Sequence, residues 1–475
     1  MSDPTHYKLW LADGWTDGDS RLEVNDPATG AVFATVAALS AARVERAFDD
    51  AGKVCADWAA KTVAERAEIL TETARLLGER SETIAAAITR ENGKPLQQAR
   101  GEVGMTADHF RWFAEEGRRA YGRIVPNQAP GKRHLILRQP IGVVGAISPW
   151  NFPLVLAARK VAPALAAGCP VVLKPASATP VCAVLLAECL EQAGIPPGVF
   201  QLVVGKASEI GEIMCAHPAC RKISFTGSTP VGRKLAARAG ETLTKTSLEL
   251  GGNAPLLVFE DADLDRAVDE AMKAKFRNIG QSCIAANRVL VQRGVYDEFL
   301  EKFRTRIEAL KTGPGTEDGV EIGPLIDPEA VRSAEGFVES AVETGARIVC
   351  GGKPLDERFF PATLLADVPD EAPCMHEEVF APVAPVSPFD TEEEAIRRAN
   401  DTEYGLSAYA FTRDLDRAFR LAEALEAGSV GINDGVPTMS CCPFGGFKAS
   451  GDGRELGSEG LDAYLETKHI SLLSS

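Results

Sequence analysis

The run Ile141-Gly-Val-Val-Gly-Ala-Ile147 opens the stretch that decides the fold of this 475-residue chain. Three further short β-branched runs follow it, at Val171–Leu173, Phe200–Val204 and Lys222–Phe225. Helical stretches separate these runs, and the first of them covers residues 154–167. Strands that alternate with helices at this rhythm predict an α/β fold with a parallel, doubly wound sheet. Such sheets bind ligands at the carboxyl ends of their strands.

A second α/β pattern follows residue 253. Its predicted helices cover residues 262–276, 296–311 and 392–400, and its predicted strands cover residues 288–292, 347–350, 406–411 and 429–432. Before the first sheet, apolar side chains recur at helical spacing, and we expect helices over about the first hundred residues. A chain of this length is too long for one ordinary hydrophobic core, so we expect two or three domains.

Composition narrows the class of protein. The chain is 45% hydrophobic and 25% charged, which is typical of a globular protein. Its net charge of −16 repels phosphate backbones, so we expect no general nucleic-acid binding. The start of the chain lacks a secretory signal pattern, and Arg159 and Lys160 interrupt the longest apolar stretch, so we expect no membrane span. The 11 cysteines show no zinc-ligand spacing, which predicts no metal site and a reducing, cytoplasmic location.

Two short motifs carry candidate chemistry. Cys283 lies in Gly280-Gln-Ser-Cys-Ile-Ala-Ala-Asn287, and Glu249 lies in Leu248-Glu-Leu-Gly-Gly252. A thiol can attack a carbonyl carbon, and a carboxylate can accept a proton from water or from the thiol. Each residue also has a structural interpretation. Cys283 could be an ordinary buried cysteine, and Glu249 could be a solvated or capping carboxylate.

Together with Pro149-Trp-Asn-Phe-Pro153 and Phe225-Thr-Gly-Ser-Thr229, these motifs resemble the aldehyde dehydrogenase superfamily over nearly the whole chain. The resemblance implies an NAD(P)-dependent oxidation in which Cys283 forms a thiohemiacetal and then a thioester. It also implies that Asn151 and the backbone N–H of Cys283 stabilise the oxyanion, and that Glu249 activates water for hydrolysis. Asn151 alone would also fit as a turn residue.

The resemblance further implies a division of the chain. We expect a dinucleotide-binding domain from residues 1–121 and 142–250, and an α/β catalytic domain from residues 251–445. A small β element formed by residues 122–141 and 460–475 would mediate assembly into a homo-oligomer, either a dimer or a tetramer.

The cofactor site implied by the resemblance follows the strand Lys222–Phe225, where Gly227-Ser-Thr-Pro-Val-Gly232 could approach a pyrophosphate. This spacing alone also fits a plain turn between strand and helix. The implied contacts are Trp150, Lys174, Ser177, Gly227, Ser228, Leu250, Glu378 and Phe380. Members that prefer NAD often carry a glutamate where this chain has Ser177, which is neutral and lies close to the positive charge of Lys174. We therefore expect NADP or NAD as cofactor, with NADP favoured.

Within the family, the chain most resembles the dehydrogenases that oxidise succinate semialdehyde. There, arginines at the positions of Arg159 and Arg277 and a hydroxyl at that of Thr438 hold the distal carboxylate of the substrate. Either arginine alone could be a surface ion-pair partner. Glutarate semialdehyde is the close alternative, because one methylene is a small difference for an apolar pocket, and a general aliphatic aldehyde is the wider one. The arginines disfavour a cationic substrate.

Two other features bear on function. Position 285 is Ala, so a redox switch that some relatives build with a second cysteine near the nucleophile is not expected. Cys441 and Cys442 precede Pro443-Phe-Gly-Gly446, a loop that the resemblance places near the substrate channel. They could contact substrate, be oxidised or simply pack. A catalytically inactive protein on the same fold is disfavoured, because Cys283, Glu249, Asn151 and Lys174 occur together.

Overall fold

The structure is a computed structural model that describes residues 4–473. Residues 1–3 and 474–475, at the ends of the predicted first domain and β element, lie outside the described residues. The strands are β1 Thr5–Tyr7, β2 Leu9–Leu11, β3 Gly14–Thr16, β4 Ser20–Asn25, β5 Val32–Ala38, β6 Arg123–Val125, β7 Lys132–Pro140, β8 Val143–Ile147, β9 Val171–Lys174, β10 Phe200–Leu202, β11 Cys220–Thr226, β12 Lys245–Glu249, β13 Ala254–Val258, β14 Ala286–Gln292, β15 Arg347–Cys350, β16 Thr363–Ala366, β17 Val383–Phe389, β18 Ser407–Phe411, β19 Ser429–Ile432, β20 Gly451–Asp452 and β21 Leu465–Leu473. The helices are α1 Ala41–Ala60, α2 Val63–Glu79, α3 Ser81–Asn92, α4 Leu96–Glu116, α5 Val155–Ala167, α6 Val181–Gln192, α7 Ala207–Ala216, α8 Thr229–Thr242, α9 Leu264–Phe276, α10 Tyr296–Glu308, α11 Pro328–Glu343, α12 Glu392–Asn400, α13 Leu415–Ala424 and α14 Gly457–Asp462.

The first sheet has the strand order β10-β9-β8-β11-β12-β20. Its first five strands are parallel, and helices α5–α8 connect them, which confirms the predicted doubly wound sheet. Strands β8 and β9 are buried and read as short, largely β-branched apolar runs, as parallel strands covered on both faces require, whereas β11 and β12 carry several polar residues. The strand order reverses between β8 and β11, so a crevice forms at the carboxyl ends of these strands.

The second sheet has the order β15-β16-β17-β14-β13-β18-β19, and β15 alone runs antiparallel to its neighbour. It has its own hydrophobic core, separate from that of the first sheet. Strand β13 follows β12 after only four residues, so Glu249 lies where the chain passes from one sheet to the other. The α/β fold class with two parallel sheets is thereby confirmed.

A third, antiparallel sheet forms from β6, β7 and β21. Strand β21 pairs with β7 along its whole length, from Leu465 opposite Pro140 to Leu473 opposite Lys132. Several apolar side chains of this sheet remain exposed, including Ile124, Leu137, Leu472 and Leu473.

The prediction of helices over the first hundred residues is wrong for residues 5–38, which form strands β1–β5. Strand β5 lies between β1 and β4, and Gly14, with φ of 99°, starts the second strand of the small β2–β3 hairpin. These strands are three to seven residues long, so period-two alternation is too brief to stand out in the sequence. Helices α1–α4 follow as predicted. No helix among residues 4–473 combines the length and apolarity needed to cross a bilayer.

Candidate active site

The segment that presents Cys283 is a tight, strained turn between α9 and β14. Asn278 and Ile279 both adopt the left-handed backbone conformation, with φ of 53° and 62°. For a β-branched residue such as Ile279 this conformation is strained, and such strain concentrates at functional sites. Gly252 lies directly behind the turn, because a Cβ atom there would be 2.2 Å from the Cys283 carbonyl oxygen. Only glycine therefore permits this approach.

Asn151 lies beside the same turn. It is buried, and its side-chain Nδ2 donates to the carbonyl oxygen of Gln281 at 3.1 Å. This bond fixes the orientation of the amide and occupies one of its two N–H groups. The remaining N–H and the backbone N–H of Cys283 have the chemistry of an oxyanion hole, in which fixed donors face developing negative charge.

A buried ion pair that the sequence analysis missed holds the turn carrying Asn151. The Lys94 amine donates to the Asn151 carbonyl oxygen at 2.8 Å and pairs with Glu102 at 2.6 Å. Glu102 in turn accepts the backbone N–H of Leu154 at 2.9 Å, at the start of α5. Lys94 and Glu102 thus position Asn151 by binding its own carbonyl oxygen and the backbone N–H of Leu154, three residues later.

Glu249 ends strand β12 and is buried, and neither of its carboxylate oxygens has a hydrogen-bond partner in the described chain. Burial raises its pKa well above the usual range, and the Glu455 carboxylate raises it further, whereas Lys160 lowers it. Gly445 packs against it, since a Cβ atom there would be 2.9 Å from Glu249 Oε1. A carboxylate with a raised pKa accepts a proton more readily near neutral pH, as a general base must.

Lys160 and Glu455, two further residues that the sequence analysis missed, form a buried ion pair next to Glu249. The Lys160 amine also donates to the Thr226 hydroxyl at 2.6 Å, which anchors the pair to the end of β11. Glu455 belongs to the segment that returns from the second sheet to pair through β20 with β12. No local pattern marks it, because its partners lie far away in the sequence.

Replacing Glu455 with Gln should move the acid limb of the pH–activity profile to lower pH by about one unit. The amide removes a negative charge that raises the pKa of Glu249 but still accepts a hydrogen bond from Lys160. Glu249 then stays deprotonated, and active as a base, to lower pH. The check is kcat measured from acid to neutral pH in wild type and variant; an acid limb that stays in place or moves upward would contradict this role.

The Cys283 thiol is half-buried, and its environment disfavours the thiolate. Burial raises its pKa to about 12, the Glu378 and Glu249 carboxylates also raise it, and Arg159 lowers it. The thiol therefore rests protonated at neutral pH. Attack on a carbonyl carbon therefore requires that the thiol first lose its proton.

A cavity of about 230 Å³ joins the candidate nucleophile to the candidate cofactor residues. Its lining consists of Pro149, Trp150, Asn151, Thr226, Gly227, Ser228, Leu250, Gly251, Cys283, Glu378 and Phe380. Lys174 and Ser177 lie outside this lining, at and after the carboxyl end of the neighbouring strand β9. Glu249 also lies outside this lining, but the next residue, Leu250, belongs to it. In the described residues, no group of three or more His, Cys, Asp or Glu side chains is arranged to hold a metal ion.

The residues of this crevice fit a nicotinamide dinucleotide. Helix α8 begins at Thr229, and its preceding residue Ser228 makes no side-chain capping bond, so the backbone N–H groups of Thr229 and Val231 remain free to bind an anion such as a pyrophosphate, while Pro230 has none. Gly232 packs directly on Leu250, where a Cβ atom would come within 2.3 Å of the leucine side chain. The helix thus lies close against the end of β12.

At the other end of the crevice, Phe380 has φ of 47° and packs edge-on against Trp150, with ring centroids 5.5 Å apart. Burial raises the pKa of Glu378 to about 7, and its carboxylate accepts the Gly252 N–H at 3.2 Å. The second carboxylate oxygen of Glu378 can still accept hydrogen bonds from ribose hydroxyls.

The Lys174 amine has no hydrogen-bond partner among residues 4–473 that would compete with a ligand, and burial lowers its pKa.

Arg159 and Arg277 lie near the nucleophile without an ion-pair partner in the described part of the chain. The Arg159 guanidinium is buried and packs over the Phe444 ring at 4.7 Å, and that of Arg277 lies 5.2 Å from the Phe152 ring centroid. Burial lowers the pKa of Arg277, and the charge of Arg159 lowers it further. The two guanidinium groups are therefore close enough for their positive charges to repel each other.

Thr438 has a buried hydroxyl oxygen with no hydrogen-bond partner within residues 4–473. Such a hydroxyl is available to a ligand. The family resemblance predicted this residue, which lies in the loop after β19.

The chain matches the aldehyde dehydrogenase family model over residues 15–470. It is 48% identical to a glutarate-semialdehyde dehydrogenase of Pseudomonas aeruginosa, over 98% of this chain and 97% of that protein. It is also 48% identical to an NADP(+) succinate-semialdehyde dehydrogenase of Escherichia coli, over 96% of each chain. A solved succinate-semialdehyde dehydrogenase from Burkholderia pseudomallei superposes with a TM-score of 0.97 at 45% identity, over 100% of both chains. The resemblance stated from the motifs is therefore confirmed, and the chain belongs to the aldehyde dehydrogenase family.

Proposed function

We propose that this aldehyde dehydrogenase oxidises a short aldehyde with a distal carboxylate, and that the substrate is succinate semialdehyde. The observation that carries the proposal is the pair of arginines, Arg159 and Arg277, which lie near Cys283 with no carboxylate partner among residues 4–473. Burying a guanidinium group without an anionic partner costs folding free energy. An anionic group on the substrate would remove that cost, and the Thr438 hydroxyl would add a hydrogen bond.

The names of the relatives support an anionic substrate and are consistent with two substrates, which differ in length by one methylene. The E. coli relative is named for succinate semialdehyde and the P. aeruginosa relative for glutarate semialdehyde, at the same 48% identity. Both are ω-carboxylated aldehydes. Glutarate semialdehyde is therefore the second candidate, because equal identity to both relatives favours neither and one methylene changes binding by only about 1–3 kcal/mol.

The proposed roles are those that the family resemblance implies, and the positions of the residues support them. Cys283 Sγ attacks the aldehyde carbon while Asn151 Nδ2 and the Cys283 N–H donate to the developing oxyanion. The thiol proton leaves to solvent as Cys283 attacks, and Glu249 removes a proton from the water that hydrolyses the thioester on Cys283. The bound nicotinamide ring supplies the hydride acceptor. Lys94 and Glu102 hold Asn151 in place throughout.

Replacing Arg277 or Arg159 with alanine tests the carboxylate clamp. Each loss removes a charge-assisted contact of about 1.5–3 kcal/mol, so kcat/KM for succinate semialdehyde should fall roughly tenfold to 150-fold. Butanal, which has no carboxylate, should lose little. The ratio of the two efficiencies cancels general damage to the fold or to Cys283. If both substrates decline equally in both variants, the arginines are structural and this proposal fails.

The cofactor is NADP or NAD, and we propose a preference for NADP from the neutral, exposed Ser177 three residues after Lys174. Replacing Ser177 with Glu should lower kcat/KM for NADP relative to NAD by about tenfold, because a carboxylate would face the 2′-phosphate. The measurement is the ratio of efficiencies with the two cofactors. An unchanged ratio would show that Ser177 does not lie beside the ribose.

We also propose that the chain assembles as a homo-oligomer through the sheet of β6, β7 and β21. Its exposed Ile124, Leu137, Leu472 and Leu473 form an apolar surface of the kind that a partner subunit covers. A second copy of the chain is the partner expected from the resemblance.

A further inference from the structure

Cys441 and Cys442 are adjacent, and both are exposed, whereas the other cysteines of the described part are buried or half-buried. Their sulfur atoms lie 3.8 Å apart, within sulfur hydrogen-bond range of each other. Two accessible thiols at this distance act as one chemical unit, because a reagent that reacts with the first is within reach of the second.

The pair lies between two anchored parts of one loop. On one side, the Ser440 carbonyl oxygen accepts the Gly457 N–H at 2.9 Å and the Ser440 hydroxyl donates to Asp108 at 2.5 Å. On the other side, the backbone of Phe444 exchanges two hydrogen bonds of 2.7 Å with Glu455. The cysteines themselves take part in neither anchor, so their chemistry can change without breaking these bonds.

We propose that Cys441 and Cys442 form a dithiol site that a small disulfide oxidises reversibly to a disulfide between the two neighbours. A thiolate of the pair attacks one sulfur of the small disulfide and expels one small thiol, which leaves a mixed disulfide on the protein. The second cysteine attacks the protein sulfur of that mixed disulfide and expels the second small thiol. The pair thereby loses two protons and two electrons, and the small disulfide is reduced to two thiols.

Adjacency makes this bond easy to reverse. The Cα atoms of neighbouring residues are about 3.8 Å apart, less than the usual Cα separation of about 4.4–6.8 Å across a disulfide. The small ring that results is strained, and strained, exposed disulfides are the ones that thiols reduce readily. The site therefore switches with the thiol–disulfide balance of its surroundings.

Closing the ring would act on substrate recognition rather than on the nucleophile. The loop carries Thr438 before the pair and Phe444 after it, and the Phe444 ring packs on Arg159. This consequence rests on the proposed carboxylate clamp. A disulfide ring that displaces Thr438 or Phe444 should weaken the binding of a carboxylated aldehyde and raise its KM.

The test treats the full-length wild type, Cys441→Ser, Cys442→Ser and the double variant with hydroxyethyl disulfide, an uncharged probe. In wild type, the peptide that carries both cysteines should lose two hydrogens and resist alkylation until dithiothreitol is added. Each single variant should instead retain a mixed disulfide at its remaining cysteine. Mixed disulfides or free thiols at both positions of the wild type would overturn the proposed site.

The activity measurement compares oxidised wild type with the double variant after the same treatment. Any activity that the double variant loses comes from oxidation of the other cysteines, Cys283 included. KM for succinate semialdehyde should rise about threefold or more in wild type alone, and dithiothreitol should restore it. Formation of the ring with no difference in KM would overturn the regulatory consequence. Failure of the untreated enzyme to oxidise carboxylated aldehydes would overturn the proposed function, while the peptide result would still decide the redox site.

Discussion

Replacing Cys283 with alanine is expected to lower steady-state turnover by roughly 10⁴-fold or more, a loss comparable to that of other catalytic nucleophiles. In the proposed mechanism the Cys283 sulfur carries the acyl group, and among residues 4–473 no other cysteine lines the cavity. The variant should still bind NADP, because the proposed cofactor contacts are other side chains. Initial rates, together with the quenching of protein fluorescence by cofactor, separate the two effects.

The matched control is Cys55→Ala, which removes a half-buried thiol on α1, remote in sequence from the crevice. It should retain wild-type turnover. Substantial activity in the Cys283 variant, or an equal loss in the control, would rule out Cys283 as the nucleophile.

Replacing Glu249 with Gln should slow steady-state turnover by about 10²–10⁴-fold, because the amide cannot accept a proton from water. Neither carboxylate oxygen of Glu249 has a hydrogen-bond partner among residues 4–473, so the isosteric change breaks no contact there. If the first attack can proceed without Glu249, reduced cofactor should appear in a burst of one equivalent per active site, followed by a slow phase. Stopped-flow absorbance at 340 nm records both phases.

The Glu249 variant should also lose the acid limb of the pH profile. In wild type the raised pKa of this carboxyl means that it is protonated, and inactive as a base, at the acid end of the range. Turnover should therefore rise with pH in wild type and stay flat in the variant. Wild-type turnover in the variant would show that another group activates the water.

The sequence predicts strands β8 to β11 of the first sheet, and most clearly β8 and β9, which are buried and read as short, largely β-branched apolar runs. Strand β12, with the sequence Lys-Thr-Ser-Leu-Glu, is mostly polar and was not predicted. The candidate site residues that follow β8, β11 and β12 were implied by the family resemblance, and their positions agree with the rule that ligands bind at the carboxyl ends of parallel strands. The structure brings Asn151, Ser228 and Cys283 to one cavity.

The supporting residues could not be predicted, because their contacts join segments far apart in the chain. Lys160 and Glu455 are almost three hundred positions apart and meet only when β20 returns to the first sheet. Gly252 and Gly445 read as ordinary loop glycines, and only the structure shows that the Cys283 backbone and Glu249 exclude a side chain there. The early strands were missed because they are short and lie before a strongly helical region.

The most direct test of the account is to isolate the acyl-enzyme that Glu249→Gln should accumulate with succinate semialdehyde and NADP. Rapid acid quenching followed by peptide mass spectrometry should find one succinyl group, attached to Cys283 and removed by hydroxylamine, because the thioester forms but water is no longer activated. The double variant Cys283→Ala, Glu249→Gln should carry none. A variant that turns over slowly without any acyl group on Cys283, or with the group on another residue, would contradict the account.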